Sequence, residues 1–396
     1  MKYIIVKRRN PILGIKRLSS ESTFHYILTT EDLDEKDISK RRAGDGIEGI
    51  IPVLAFHKVE PPKRSEHNTA SAGIVGGVAW GVRAVNAVSA SNLGEGVKVA
   101  VLDTGVDTTH PAFRGVNFLL RDFTLDDTGV PDVAADIDGH GTHVAATIFG
   151  RDIEGTRIGV APGIKDVLIG KVLSPEGASF VALKCALDWA VNNRADVICM
   201  SLGIDFPSAV RHFREALDLP EDIAVSRVLD AYRRTMRLYD TYAASLRAQT
   251  ESRGGALLIA ASGNESRRDE DVRFTVNAAP PAAADGVISV GAVANIGDTF
   301  QVAPFSNTGC EFVGPGVSVL SAQLGAGLRI EHGTSMAAPH VAGVAALWTR
   351  HEFPDGDRRA GWAERVRSRL RSSARPFAAP FENIGYGVVQ APQPVS

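Results

Sequence analysis

The sequence predicts an α/β fold, a three-layer sandwich around a mostly parallel central sheet, with a small N-terminal α+β appendage. From Trp80 onward, short all-apolar runs alternate with helix-length segments. Strands that are apolar throughout, rather than at every second residue, are typical of parallel sheets covered on both faces. The composition agrees, because 44% hydrophobic and 22% charged residues are ordinary for a globular chain of 396 residues.

The individual elements follow from these runs in chain order. We expect core strands at residues 97–102, 167–172, 197–200, 256–260 and 287–293. Apolar residues at helical spacing predict covering helices over residues 143–149, 180–192 and 341–350.

The N-terminal part of the chain differs from the rest. Residues 1–60 contain two strand-like runs, at 3–6 and 50–56, on either side of a charged stretch at 31–42. Residues 61–79 begin Pro-Pro-Lys-Arg-Ser-Glu and carry three glycines, so they are predicted to be a linker. The main domain would then comprise residues 80–396.

One segment interrupts the strand and helix alternation of the main domain. About fifty residues, roughly 205–253, separate Ser201-Leu202-Gly203 from the strand at residue 256. Residues 226–247 are rich in Arg, Leu, Tyr and Ala, which predicts one long amphipathic helix with a shorter helix before it. A surface insertion and a functional lid both fit this pattern.

The charge and the cysteine content of the chain restrict the classes of binding partner and the cellular compartment that we expect. The 46 acidic and 43 basic residues give a net charge of −3, so neither nucleic acid nor an anionic membrane is expected as a partner. The N-terminal apolar run of three to four residues is shorter than the roughly 7–15 that a secretory signal needs. Three cysteines (Cys185, Cys199 and Cys310) suit buried thiols in a reducing compartment. A cytoplasmic protein is expected, and the oligomeric state stays open.

Three segments carry residue types that suit nucleophilic catalysis. Asp103 ends the apolar run Val-Ala-Val-Leu, where functional groups collect in open α/β sheets. His140 lies between two glycines at the start of a predicted helix. Ser335 follows a glycine turn at the first turn of a buried helix, where free backbone N–H groups and a partial positive charge are available.

These groups need one another chemically. A serine hydroxyl is barely ionised at neutral pH and requires a base, and an imidazole base requires an acceptor on its other nitrogen. A fourth segment, Ala-Ser-Gly-Asn264-Glu, ends a buried strand in a glycine turn that bears an amide. A fixed N–H donor near a developing oxyanion contributes roughly 3–4 kcal/mol. The Asn264 amide and the backbone N–H of Ser335 are therefore candidates for that role.

The strings VAVLDTGVD, DGHGTHVA, SLG, AASGNE and GTSMAAPHVAGVAALW, in this order, resemble the subtilisin-like serine proteases (subtilases, peptidase S8 family). The similarity runs from about Trp80 to Gly385-Tyr-Gly-Val-Val-Gln-Ala. It implies a serine endopeptidase that acts through an acyl-enzyme, with Asp103, His140 and Ser335 as the triad and Asn264 as oxyanion donor. The implied substrate-binding residues are Ser201, Leu202 and Gly203 in the peptide groove, and Ala260, Ala261, Ser262 and Gly263 in the facing pocket wall.

The resemblance also raises expectations about the remaining parts. It suggests that residues 1–60 are propeptide-like and are removed by self-cleavage in the linker, although a permanent structural extension fits equally well. Ala112 follows His110-Pro111 where many secreted relatives carry a calcium-binding Asp, so a structural calcium is uncertain. No cofactor is required for the chemistry, and no metal-ligand set accompanies His140 and His143. A protease-like regulatory module with a closed groove is the alternative function.

Overall fold

A computed structural model describes residues 1–8, 26–41, 46–58, 73–253, 255–297, 299–358 and 360–394. Of the predicted linker, residues 61–72 lie outside the described residues. Its described end already belongs to the main domain, because Val78 forms a parallel bridge with Arg157.

In its described residues, the N-terminal unit is a small antiparallel sheet with one helix. It consists of strands β1 (Lys2–Arg8) and β2 (Tyr26–Asp32), helix α1 (Glu35–Arg41) and strand β3 (Ile47–Pro52). Strand β1 lies in the middle, and β2 and β3 pair with its two edges. Side chains of alternating residues face opposite sides: Ile5 packs with Leu33, whereas Ile4 joins the core of the main domain. A further short strand, β4 (His57–Lys58), leaves this sheet and pairs elsewhere.

The main domain supplies the remaining elements. The first group is α2 (Trp80–Ala84), β5 (Val99–Asp103), β6 (Asn117–Asp122), β7 (Val130–Pro131), α3 (His140–Phe149), β8 (Asp166–Lys171), α4 (Phe180–Asn192), β9 (Val197–Met200) and β10 (Leu202–Gly203). The second group is α5 (Phe206–Ala216), α6 (Glu221–Arg253), β11 (Leu257–Ala261), β12 (Val287–Ile296), β13 (Thr299–Val302), β14 (Phe312–Pro315), β15 (Val319–Ala322), β16 (Leu328–Glu331), α7 (Thr334–Glu352), α8 (Trp362–Ser373) and α9 (Phe381–Ile384).

Nine of the described strands form the central sheet, in the order β13-β12-β11-β9-β5-β8-β6-β7, with β14 also beside β12. All pairs from β12 to β6 are parallel, as is β14 with β12. The edge strands β13 and β7 are antiparallel. Strand β5 therefore lies inside the sheet, between β9 and β8, and its carboxyl end is held on both sides. The mostly parallel sheet predicted from the sequence is confirmed.

Both faces of the sheet are covered, which confirms the three layers. Along β5, Val99 and Val101 face the side where α3, α7 and α8 pack. Ala100 and Leu102 face the other side, where α4, the inserted helices and the N-terminal sheet pack. Strands buried on both faces need no polar alternation, which is why these runs are apolar throughout.

Two helices begin earlier than the sequence pattern predicts. Helix α3 begins at His140 and α7 at Thr334, each directly after a glycine with positive φ. Gly139 has φ 95° and Gly333 has φ 144°, so the chain enters each helix from a conformation that other residues rarely adopt. As a result, His140 and Ser335 lie in the first turns of their helices, as the sequence predicts.

The insertion after β10 is part of the core on its side of the sheet. Helix α6 is longer than predicted, and it buries Tyr239 and Tyr242 completely. The Tyr242 hydroxyl donates a hydrogen bond of 2.7 Å to Asp188 on α4. The same hydrophobic cluster includes residues of β1 and β3, so the insertion packs between α4 and the N-terminal sheet.

Candidate active site

The first site residue, Asp103, ends strand β5 and is fully buried. Its Oδ1 atom accepts hydrogen bonds from the backbone N–H of Thr104 and from Nδ1 of His140, both at 2.7 Å. The sheet fixes the position of this carboxylate, because neighbouring strands hold β5 on both sides. The contact joins a carboxylate and an imidazole that are 37 residues apart in the chain.

The close approach of α3 to the end of β5 requires a glycine. A Cβ atom on Gly141 would lie 2.1 Å from the carbonyl oxygen of Gly105 and 3.2 Å from Oδ1 of Asp103. A side chain of any size would therefore push the helix away from the carboxylate. The Gly-His-Gly pattern serves two purposes: Gly139 supplies the positive φ, and Gly141 supplies the space.

Asp136 ties the two segments together, and the sequence argument missed it. One of its carboxylate oxygens accepts from the Thr104 hydroxyl at 2.9 Å and from the Gly139 N–H at 2.8 Å. The other oxygen accepts from the N–H and hydroxyl groups of Thr142. Asp136 thus caps the N-terminus of α3 and anchors the turn after β5. An aspartate shortly before a helix start is the signal that could have identified it.

The third residue, Ser335, is fully buried in the first turn of α7. Its hydroxyl donates to the carbonyl oxygen of Ser201 at 3.2 Å, and the Ser201 hydroxyl donates to the carbonyl of Ser335 at 2.9 Å. Within the described residues, Nε2 of His140 makes no hydrogen bond. The structure therefore joins Asp103 to His140 directly, whereas the Ser335 hydroxyl is turned towards Ser201.

Asn264 lies just beyond β11, after Gly263 with φ 114°. The oxygen of its side-chain amide is held by Thr334. Its Oδ1 atom accepts from both the backbone N–H and the hydroxyl of Thr334, each at 2.9 Å. Because one end of the amide is bound to the residue preceding Ser335, the Nδ2 group is directed away from Thr334. Sequence analysis missed the role of Thr334, whose only signal was its place beside the serine.

The predicted groove residues lie where β9 and β11 end. Ser201 joins β9 to strand β10, and Leu202 and Gly203 form β10 itself. Strand β10 pairs antiparallel with β4, so that Leu202 faces Lys58 and Gly203 faces His57. An extended segment of the chain's own N-terminal part therefore lies along the predicted groove.

The predicted pocket wall is buried at the end of β11. Ala260 and Ala261 face opposite sides of the sheet and belong to its two cores. The Ser262 N–H donates to Val290, which continues the strand pairing for one more residue. Gly263 has no room for a side chain, because a Cβ atom there would lie 2.3 Å from Nδ2 of Asn307.

The surroundings of His140 favour its protonated form. Burial opposes the charge, but the Asp103 carboxylate, aided by Glu331 and Asp138, raises the pKa of His140 to about 9. Glu331 ends β16 and forms an ion pair with Arg329. The charge of the His140 imidazole therefore depends on three carboxylates.

Two other histidines near the site, His143 and His340, have structural roles. His143 is fully buried and donates from Nε2 to the carbonyl of Val319 at 3.2 Å, and burial lowers its pKa to about 3. His340 donates from Nδ1 to the carbonyl of Met336 at 2.8 Å, and burial lowers its pKa to about 4. Both rings stay neutral and hold α3 and α7 in place.

The position expected for a calcium ligand is occupied differently. Ala112 is buried, and its carbonyl accepts from the N–H of Arg151 at 2.8 Å. The Arg151 guanidinium donates to the carbonyls of Phe149 and Ile164 at 2.7 and 2.8 Å. The nearby Arg157 guanidinium donates to further backbone carbonyls, those of Ala87, Gly159 and Val160. These residues do not fit a calcium site, because Ala112 offers no carboxylate and the carbonyl oxygens of Ala112, Phe149 and Ile164 already accept hydrogen bonds from Arg151.

Two further properties concern the described part of the chain as a whole. No three His, Cys, Asp or Glu side chains there are grouped so that they could hold a metal ion. No helix in the same residues combines the length and apolar character that a membrane span requires.

Comparison with known proteins places the chain in a family. A model of the subtilase family matches residues 94–387. The chain is 35% identical over 275 residues to the "Major intracellular serine protease" of Bacillus subtilis (strain 168), which covers 68% of this chain and 74% of that protein.

Two other relatives agree. An "Intracellular serine protease" of Paenibacillus polymyxa is 35% identical over 64% of this chain and 67% of its own length. A "Thermostable alkaline protease" of Halalkalibacterium halodurans is 32% identical over 84% of this chain and 78% of its own length. The chain therefore belongs to the subtilase family. It is a subtilisin-like serine endopeptidase that acts on protein or peptide substrates.

Titration of His140 tests the electrostatics of the site. In a Ser335→Ala chain, NMR of the ring should give a pKa of about 9 for His140. Glu331→Gln should lower that pKa, and Asp103→Asn should lower it further, because each change removes a negative charge that stabilises the imidazolium. Glu364→Gln, on the exposed surface of α8, is the control and should leave it unchanged. A His140 pKa near 6.5, or one insensitive to Asp103→Asn, would contradict this account.

Proposed function

We propose that Asp103, His140 and Ser335 form a catalytic triad, that Asn264 is an oxyanion donor, and that peptide bonds are hydrolysed through an acyl-enzyme. The 2.7 Å hydrogen bond between the buried Asp103 carboxylate and the His140 imidazole carries the proposal. It fixes the tautomer with a proton on Nδ1 and leaves Nε2 as the basic nitrogen, which is the arrangement that serine activation needs.

The first half of the reaction begins with a rotation of the Ser335 side chain. Its hydroxyl leaves the Ser201 carbonyl and turns to Nε2 of His140. The serine oxygen then bonds to the substrate carbonyl carbon while its proton moves to Nε2. The Asp103 carboxylate stabilises the imidazolium that results, without taking its proton.

The charge that develops on the substrate oxygen needs fixed donors. Nδ2 of Asn264 and the backbone N–H of Ser335 are suited to this, because Thr334 holds the amide and the helix holds the backbone. When the tetrahedral intermediate collapses, His140 gives its proton to the leaving amine and the acyl-enzyme remains. Water, activated by His140, then releases the acid and restores the serine.

The pH dependence follows from the charge on His140. Only the neutral imidazole can accept the serine proton, and the pKa of His140 in the free enzyme is about 9. The kcat/KM value should therefore rise as the pH is raised towards about 9, which is the behaviour of an alkaline protease.

Two substitutions separate the proposed roles. Ser335→Ala should reduce kcat on a casein-derived peptide by about 10⁶-fold, as in a subtilisin that lacks its nucleophile. Asn264→Ala should reduce kcat by about 10²–10³-fold with little change in KM, again the range known from a subtilisin, since the donor acts on charge that appears in the transition state. Steady-state kinetics with purified variants measure both. If Asn264→Ala changed only KM, the Asn264 amide would contribute to binding of the substrate in the ground state and not to stabilising the transition state.

We further propose that residues 1 to about 70 are a propeptide-like segment that covers the groove and is cleaved within the linker. The support is the pairing of β4 with β10, together with the reciprocal backbone hydrogen bonds of Phe56 and Ala178, at 2.9 and 2.8 Å. Before such a cleavage the groove would be covered, and the chain would behave as the alternative, a protease-like regulatory module with a closed groove. If the segment is instead a permanent extension, the groove would stay closed.

Intact mass distinguishes these possibilities. If the segment is removed by the chain's own active site, freshly purified protein should lose a fragment of about 60–70 residues on incubation, while the Ser335→Ala chain keeps its full mass. Incubating the Ser335→Ala chain with a trace of active protein shows whether cleavage occurs between molecules. Full-length mass in both preparations would reject self-processing.

We propose that the loop around Arg151 is stable without calcium, because its carbonyl groups already have cationic partners. EDTA should leave Tm unchanged. Arg151→Met should lower the free energy of unfolding by about 2–4 kcal/mol, since two carbonyls lose a charged donor, and added CaCl₂ should not restore it. Arg273→Met, at an arginine whose side chain is 81% exposed, is the control. A fall of Tm in EDTA would contradict the proposal.

The cytoplasmic location remains a proposal. It is supported by two relatives, both named intracellular serine proteases.

A further inference from the structure

The carboxylate of Asp138 faces the groove beside the proposed catalytic base. Asp138 lies two residues before His140, and its Oδ1 atom accepts from the His140 backbone N–H at 3.3 Å. Its Oδ2 atom accepts a hydrogen bond of 2.6 Å from Nζ of Lys58, which is 80 residues away in the chain. About a third of each side chain stays exposed. The carboxylate is thus anchored on one side and binds a cation on the other.

Lys58 belongs to a segment that lies in the groove as an extended strand. On one edge, Phe56 exchanges two backbone hydrogen bonds with Ala178. On the other edge, Lys58 pairs with Leu202 in β10. Phe56 is fully buried. An extended peptide that adds a strand between two such edges is a common mode of peptide recognition. The segment 56–58 therefore shows how a substrate of the same direction would lie.

The register relates Lys58 to the site of attack. Along the antiparallel pair, His57 faces Gly203 and Lys58 faces Leu202. If an extended peptide continues in this register, the residue after the one that faces Leu202 would face Ser201. The carbonyl of Ser201 accepts a hydrogen bond from the Ser335 hydroxyl. Because the Ser335 hydroxyl lies at Ser201, we infer that Ser335 attacks the carbonyl of that next residue. A substrate residue in the position of Lys58 would therefore be the second residue before the bond that is cut.

The charges around this position favour a cation. Asp138, Glu331 and Asp103 are all close enough to raise the pKa of His140. Burial opposes the charge of Asp138, but the hydrogen bond and charge of Lys58 lower the pKa of this carboxyl, so it is ionised at neutral pH. Arg329, another cation among the described residues of this neighbourhood, is paired with Glu331. A basic side chain would gain a partner here, whereas an acidic one would face like charge.

We propose that Asp138 determines specificity by selecting substrates with Lys or Arg as the second residue before the cut bond. This rests on the proposed function, because it takes Ser335 as the attacking group. It assigns the substrate class of this site: peptides with a basic residue one position before the residue whose carbonyl is attacked. Lys58 then occupies, in the chain itself, the place of that basic residue.

A series of internally quenched peptides tests the proposal. The peptides are identical except for Lys, norleucine or Glu at the second residue before the intended cut, and mass spectrometry verifies the cut. Norleucine keeps most of the lysine stem without the charge. With the full chain, kcat/KM for Lys should exceed that for norleucine by about fivefold to tenfold, and Glu should be the poorest. The ratio should fall when salt is raised, because exposed charges are screened.

Asp138→Asn should bring all three peptides to nearly equal kcat/KM. This substitution also affects His140, and the N-terminal segment competes for the groove, but both effects are the same for every peptide and cancel in the ratios. Asp230→Asn, at a half-exposed aspartate on α6, is the matched control and should keep the preference of the parent chain. Lys58→Ala should raise kcat/KM for all peptides by one common factor, because the segment competes less.

The outcomes separate the two proposals. If the parent chain cleaves Lys and norleucine peptides equally, or Asp138→Asn keeps the preference, the selection by Asp138 is wrong while the protease mechanism stands. If Ser335→Ala cleaves the peptides as fast as the parent chain, the proposed function fails, and the selection fails with it.

Discussion

The hydrogen bond between Asp103 and His140 is the contact on which the site depends. It brings together two ionisable groups that are almost inaccessible to water, and each would be costly to bury alone. The surrounding structure makes their burial tolerable. The sheet fixes the Asp103 carboxylate. Because Gly141 has no side chain, helix α3 can approach it closely, and Asp136 binds both the turn after β5 and the start of α3. Weakening any of these would leave an uncompensated charge in the interior, and the folded state would lose stability together with activity.

The fold assembles the rest of the site by using ends of elements. Asp103 ends β5, Asn264 follows β11, and Ser201 joins β9 to β10, so these groups come from adjacent strands of one sheet. His140 and Ser335 stand in the first turns of two helices that pack on the same face. Parallel strands place all their carboxyl ends at one edge, which explains how segments far apart in sequence meet there.

The sequence predicts this much because the signals are local. Apolar runs define the strands, and glycines beside His140 and Ser335 mark the turns that present them. What it could not predict are contacts between distant side chains. The pairing of Lys58 with Asp138 spans 80 residues, and the orientation of Ser335 towards Ser201 depends on a rotamer. The periodicity of apolar residues in the sequence predicts neither of these two contacts. The packing of the insertion against the N-terminal sheet also arises only when both are folded on α4.

We propose that the Ser335 hydroxyl is activated by a base that Asp103 holds in place. Labelling with a fluorophosphonate probe, followed by peptide mapping, tests it most directly because the probe reacts with an activated serine. We expect the label on Ser335 alone, a large loss of labelling rate in His140→Ala, and a smaller loss in Asp103→Asn. Label on another serine, or an unchanged rate in His140→Ala, would contradict the account.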